Sequence, residues 1–182
     1  MDTLQGNFLI ATPQMPDPRF QEQVVYLCSH TPNGAMGLVI NRPSEHSLAE
    51  VLEGANLPLP PGPLPMVYLG GPVETKLAFF LHSAEYQAEE PLRITSSVCI
   101  SQGPRFLYDL ALGQGPKDYL VAVGYSGWGP GQLENELKHY GWLTLPGDDE
   151  ILFRTPDSLK WRRAASRYGI DIATFNDAIG NA

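Results

Sequence analysis

Five of the nine residues from 57 to 65 are proline (LPLPPGPLP), and no other stretch so limits what this chain can fold into. Proline has no amide hydrogen to donate, and its ring pushes the preceding residue away from helix. The segment cannot be helical and is a poor interior strand. It is expected to form an extended linker or a rim loop. A chain of 182 residues has room for one ordinary domain, alone or with a small subdomain. The expectation is one unit over residues 1–182, with a candidate subdomain boundary near 57–65. Hydrophobic residues make up 43% of the chain, enough for a sizeable core and too many for a disordered segment.

Turn chemistry divides the remainder. Residues 8–11 read as a short strand closed by Thr12-Pro13, and MPDPRF (15–20) reads as a loop. Residues 23–29 and 35–41 are strand-like and flank His30-Thr31-Pro32-Asn33-Gly34. Asn-Gly between two such runs signals a hairpin. Ser47 with Glu50 fits a capping box, opening a short helix with Leu48, Val51 and Leu52 on one face and Gly54 at its end. Residues 66–69 and 76–82 read as strands around a Gly70-Gly71-Pro72 turn, the second one central. Residues 85–91 read as a loop and 92–100 as a strand. Ser101 is expected to cap a helix over 104–112. Another strand spans 118–124, and a helix spans 130–140 with Leu133, Leu137 and Tyr140 on one face and Gly141 as its C-cap. Residues 150–153 read as a last strand. Thr155-Pro156 opens a helix whose buried stripe is Trp161, Ala164, Ala165 and Tyr168. A final short helix is expected near 173–179. About seven strands and four or five helices, hairpins early and alternation later, predict an α+β fold.

Acidic residues outnumber basic ones 20 to 12, for a net charge of −8. Such a chain repels phosphate backbones at long range, which disfavours direct DNA binding. One basic face is nevertheless predicted: Lys160, Arg163 and Arg167 share a side of their helix, with Arg154 and Arg162 nearby. It reads either as a solvated face or as a contact for an acidic partner or a phosphate. The N-terminus has no basic stretch, and its apolar run is too short for a signal peptide or a membrane span. A soluble, cytoplasmic protein with no membrane association is expected. Cys28 and Cys99 lie in apolar runs and read as small buried core residues.

The densest candidate site is GYSGWGPGQLENEL (124–137). It departs from the nucleophile elbow, because Trp128 stands where the last glycine should be and Trp128-Gly129-Pro130 separates Ser126 from the helix. It departs from phosphate-binding loops as well, since proline follows Gly129 where a lysine is required. Glu134 and Glu136 sit in the first turns of the helix and would repel an anion. The stretch therefore reads as a turn that feeds the helix, with Trp128 as its buried anchor. The four histidines and two cysteines form no zinc-type spacing, so no metal is expected.

Several stretches together resemble the YqgE/AlgH family of bacterial proteins. They are MGLVINRPS (36–44), VYLGGPVETKLAFFLH (67–82), GYSGWGPGQLENEL, WLTLPGDDEILF (142–153) and LKWRRAASRYGID (159–171). The resemblance covers nearly the whole chain and keeps the order of the motifs. It implies a compact mixed α/β fold with a partly barrel-like sheet and no cofactor. It also implies a largely uncharacterised family, whose AlgH branch carries a proposed role as a transcriptional regulator of alginate synthesis. The recurrent motifs map to Asn41, Arg42 and Pro43, to Gly70, Gly71 and Pro72, and to Gly124, Trp128, Gly131, Gln132 and Glu134. The candidate binding residues are Asn41, Arg42, Gly70, Gly71, Trp128 and Gln132, with no catalytic residue assigned. A guanidinium beside glycine turns suits a carboxylate or phosphate, although Arg42 could instead pair with Glu134. The leading expectation is a non-enzymatic protein that binds a protein partner or a small anionic ligand, with a regulatory role. The alternative is a hydrolase or transferase acting on a small anionic substrate held by Arg42 and the glycine turns.

Overall fold

The computed structural model describes residues 2–139 and 141–175. Its elements run β1 (Asn7–Ala11), β2 (Val24–Thr31), β3 (Gly34–Val39), β4 (Pro43–Ser47), α1 (Leu48–Gly54), β5 (Met66–Leu69), β6 (Val73–Ser83) and β7 (Leu92–Arg93). They continue with β8 (Val98–Ser101), α2 (Arg105–Ala111), β9 (Tyr119–Trp128), α3 (Gln132–His139), β10 (Trp142–Pro146), α4 (Asp149–Phe153) and α5 (Asp157–Ser166). Single 3-10 turns occupy Pro18–Phe20 and Ile172–Thr174.

The strands form one curled sheet in the order β10-β1-β2-β3-β9-β6-β8-β7, with β4 and β5 hanging off β9. Every pairing is antiparallel except β5 with β9. The α+β fold with a mixed, partly barrel-like sheet is thus as expected. Both faces of the central strands are covered, which is why their sequences are apolar without alternation. On β1, Phe8 and Ile10 face the inside of the curl, where α4 and α5 close it with Leu152, Trp161 and Ala164. Leu9 and Ala11 face the other way, toward Trp128, Leu133 and Trp142. A third cluster packs α1 and α2 on β5, β6 and β9 through Leu48, Leu52, Phe80 and Phe106.

The strand β9 is the hub, and a glycine crossing lets it change partners. Its first half pairs with β5 through Ala122 and Val123, and its second half pairs with β3 through residues 126–128. At the change, Gly124 takes a φ of +73°, and a Cβ there would lie 2.4 Å from the Gly71 carbonyl oxygen. A Cβ on Gly70 would lie 2.4 Å from the Gly124 oxygen. The Gly70 amide donates to Val123, and its carbonyl accepts from the Val39 amide at 2.9 Å. Two chain segments therefore cross in direct backbone contact, which no side chain would permit.

Local signals placed most elements correctly, and the exceptions are informative. The hairpin forms, but register pairs Thr31 with Gly34, so Pro32 and Asn33 are the central residues rather than Asn33 and Gly34. Ser47 caps α1 by accepting from the Glu50 amide, whereas the Glu50 carboxylate turns to His46. Residues 92–100 are not one strand; they fold back on themselves as β7 and β8. Ser101 caps nothing, because it is the last residue of β8, and α2 has no side-chain cap. Residues 43–47 and 142–146 form two strands that were not expected, β4 and β10. The apolar run expected as a strand at 150–153 is helical instead, capped by Asp148 accepting from the Ile151 amide. Thr155 does not cap α5, since its hydroxyl donates to the Glu150 carbonyl, and Tyr168 is 51% exposed rather than part of the stripe. Residues 124–128 continue β9, so only residues 129–131 are a turn. The helix expected near 173–179 lies largely outside the described residues.

The crossing yields a direct test. Gly124→Ala forces a side chain into a left-handed conformation and against a backbone oxygen, and should destabilise the protein by about 3 kcal/mol or more in urea unfolding. Gly54→Ala, which meets no heavy atom within 4 Å and sits at the end of a helix, should be near neutral.

Candidate functional site

The predicted site residues fall in several places, although Gly71 and Arg42 line one small cleft together. Gly70 and Gly71 belong to the backbone crossing. Ser126 lies beside them, 2% exposed, and its hydroxyl donates to the Gly70 carbonyl at 3.3 Å. That carbonyl already accepts from Val39, so Ser126 completes a structural contact and is not presented as a nucleophile. Trp128 is 7% exposed and stands edge-on to Trp142 in the outer cluster. Gln132 turns back to accept from the Gly129 amide at 3.0 Å, holding the entry to α3. Glu134 does not pair with Arg42. It accepts a 2.7 Å bond from Nε2 of buried His30, whose Nδ1 accepts from the Leu4 amide. That bond holds the Glu134 carboxyl below the usual range.

Asn41 and Arg42 do line a cleft. The Asn41 side chain accepts from the Val24 amide at 3.1 Å and donates to the Glu22 carbonyl at 3.0 Å. It pins the approach to β2 and holds Glu22 at a φ of +55°, a strained conformation for a residue with a side chain. The Arg42 carbonyl accepts from Leu69, while its guanidinium is exposed and enters no ion pair among the described residues.

This cleft has a volume of about 440 Å³ and is bounded by residues 21–23, by Asn41, Arg42 and Pro43, and by Asp157, Ser158, Trp161 and Arg162 of α5. It presents the first turn of α5, which no side chain caps, and the free amides and dipole of such a turn favour an anion. The Asp157 carboxylate is already engaged by the Tyr68 hydroxyl at 2.7 Å and by Lys160 at 3.0 Å. The cleft lining thus carries two arginines, Arg42 and Arg162, and two carboxylates, the exposed Glu22 and the engaged Asp157. Sequence reasoning missed Gln23. It is 4% exposed, lines this cleft, and neither end of its amide is bonded within the protein. Thr12 repeats the pattern in an adjoining recess of about 320 Å³ that shares Gln21, Glu22 and Trp161: its buried hydroxyl has no partner. Buried polar groups are rarely left unpaired. A buried polar residue in an apolar strand, Gln23 before Val24-Val25, is the only sequence signal for it.

The basic face expected along α5 is largely spent internally. Lys160 is 2% exposed, donates to the Ile40 carbonyl at 2.7 Å and lies over the Tyr68 ring at 5.0 Å. Arg154 bonds Asp118 and Glu150, and Arg167 bonds Asp148. A serine and histidine also meet elsewhere: Ser101 and His82 lie 2.8 Å apart, both buried against Phe106 on the α2 side of the sheet. The His82 Nδ1–H donates to the Ser83 carbonyl, leaving Nε2 to accept from Ser101. Cys28 and Cys99 are buried free thiols, as expected. Among the described residues there is no cluster of three metal-ligating side chains, and no helix is long and apolar enough to cross a membrane.

Fold and cleft together define an α+β protein whose curled sheet carries a polar, ligand-sized cleft at one end of α5. The DUF179 family model, described as AlgH-like, matches residues 8–173, and the chain belongs to that family. It is 45% identical to UPF0301 protein DP2218 of Desulfotalea psychrophila, over 100% of this chain and 96% of the relative. It is 43% identical to a UPF0301 protein of Stutzerimonas stutzeri, over 98% and 96%. The solution structure of the AlgH protein from Pseudomonas aeruginosa matches with a TM-score of 0.79 at 42% identity, covering 99% of this chain and 94% of that one. A crystal structure of protein DIP2367 from Corynebacterium diphtheriae shares the fold, with a TM-score of 0.74 at 18% identity. None of these names states a ligand or a reaction.

Two measurements check the assignments. Ser126→Ala should change unfolding free energy by no more than about 1 kcal/mol, one hydroxyl bond to a carbonyl that stays paired. Trp128→Ala should cost about 3–5 kcal/mol through lost burial and a cavity. Burial holds the His82 pKa below its ordinary 6.5, so the folded state binds the proton less well than the unfolded chain. The stability this confers is complete above pH 6.5 and is lost as the pH falls from there through the folded value. The urea midpoint should therefore drop between pH 7 and pH 5, and His82→Gln should flatten that drop.

Proposed function

We propose that this is a cytoplasmic ligand-binding protein, non-catalytic at this site, that holds a small anionic ligand in the cleft between residues 21–23, Asn41–Arg42 and the first turn of α5. The observation that carries the reading is Gln23, a buried amide with both ends unpaired, set beside the unpaired Arg42. An unbonded buried amide costs about 1–3 kcal/mol, and a core residue would be replaced by leucine at no loss. A cost of this kind is retained where a ligand satisfies the group. The uncapped turn and the guanidiniums of Arg42 and Arg162 supply the positive side of the site. A regulatory role follows if ligand binding changes how the protein meets a partner. The cytoplasmic assignment is supported by two free thiols, as a reducing compartment allows.

Gln23→Leu separates a ligand-binding role from a structural one. If Gln23 serves a ligand, the leucine variant should be as stable as the parent, or more stable by about 1–3 kcal/mol, and should lose the rise in melting temperature that anionic metabolites give the parent. Arg42→Ala should leave stability nearly unchanged and weaken anion binding about tenfold or more. A Gln23→Leu protein that is clearly destabilised and still responds to anions would refute the reading.

A further inference from the structure

The polar cleft does not end at Arg42. A second cleft of about 220 Å³ adjoins it and shares Gln23 and Arg42 as lining residues. Its other walls are mostly apolar: Phe20, Val39, Leu69 and Pro72, with Gly71, Thr75 and Arg19. The Arg19 guanidinium is bonded by Asp17, and its central carbon lies 5.7 Å above the Phe20 ring. Leu69 is 43% exposed although it stands in a strand of the sheet, so apolar surface is left open to solvent where the cleft begins. The polar and apolar clefts thus meet at two residues, one a buried unpaired amide and the other an unpaired cation. A purely ionic ligand would leave the apolar side wet, and a purely apolar one would leave Arg42, Gln23 and the first turn of α5 unused.

We propose that the ligand is an amphipathic anion: a carboxylate or phosphate head in the polar cleft, joined to a short hydrocarbon chain that lies in the apolar cleft. The head faces Arg42, Arg162 and the amides at the start of α5. The chain covers Phe20, Val39, Leu69 and Pro72. This rests on the anion-binding reading above and adds the tail. The volume of the second cleft limits the chain to a few carbons; longer chains run out into solvent and gain nothing more.

The test uses the full chain and two straight-chain series, alkyl carboxylates and alkyl phosphates from one to ten carbons, with the matching neutral alcohols, read by calorimetric titration. The expected result is affinity that tightens about three- to fourfold per methylene, levels off once the cleft is full, and is lost for the alcohols. Whichever series binds tighter identifies the head. Leu69→Asn should flatten the length dependence of that series. Anion binding that does not vary with chain length would overturn this inference and leave the proposed function standing. Alcohols binding as tightly as the charged compounds, or no binding by any member, would overturn both. If Leu69→Asn keeps the full length dependence, the tail is not in this cleft and the inference fails.

Discussion

The contact of Gly70 and Gly71 with Gly124 is the constraint on which the rest of the sheet depends. The strand β9 is long enough to serve two neighbourhoods, but it can do so only by releasing β5 and taking up β3 partway along. That exchange needs two backbones closer together than any Cβ allows. Once made, it sets the register on both sides: the Gly70 carbonyl bonds β3 through Val39, and the Gly70 amide bonds β9 through Val123. The sheet curls because the strands on either side of this point follow different partners. The helices then fill the concave and convex faces that the curl creates.

The same crossing explains why the most site-like motif in the chain is architectural. Glycines, a serine and a tryptophan before a helix resemble a catalytic turn, yet here each meets a packing or hydrogen-bonding demand. Gly124 permits the crossing, Ser126 seals it and Trp128 anchors the outer core. The candidate binding site lies elsewhere, on the Asn41-Arg42 side, where Asn41 holds the backbone and the Arg42 head remains unpaired.

How far the sequence revealed this depended on the range of each interaction. The hairpin at 31–34 and the α1 cap at Ser47 are written in neighbouring residues and were readable. The strand β10 was not, because a five-residue run gains strand character only from β1 beside it. The run at 150–153 was misread because a short apolar stretch suits strand and helix equally, and the deciding signal was Asp148, a cap just outside the run. Arg42 was visible as a cation next to a turn. Gln23 was not, since an unpaired amide can be recognised only after every neighbour has been placed. Lys160 went the other way: helical spacing set it among surface arginines, and the fold buried it.

Buried Lys160 has a mechanical consequence for the cleft. Its ammonium reaches the Ile40 carbonyl, directly before Asn41-Arg42, while Asp157 holds it from the start of α5 and Tyr68 of β5 bonds that same carboxylate. Two opposite walls of the cleft are thereby riveted through one side chain. The arginine-bearing loop and the helix end cannot drift apart independently, so the cleft geometry on which the proposed ligand would depend is already assembled. A cleft fastened in this way would lose little ordering entropy on taking up the proposed ligand, which favours even a ligand of few atoms.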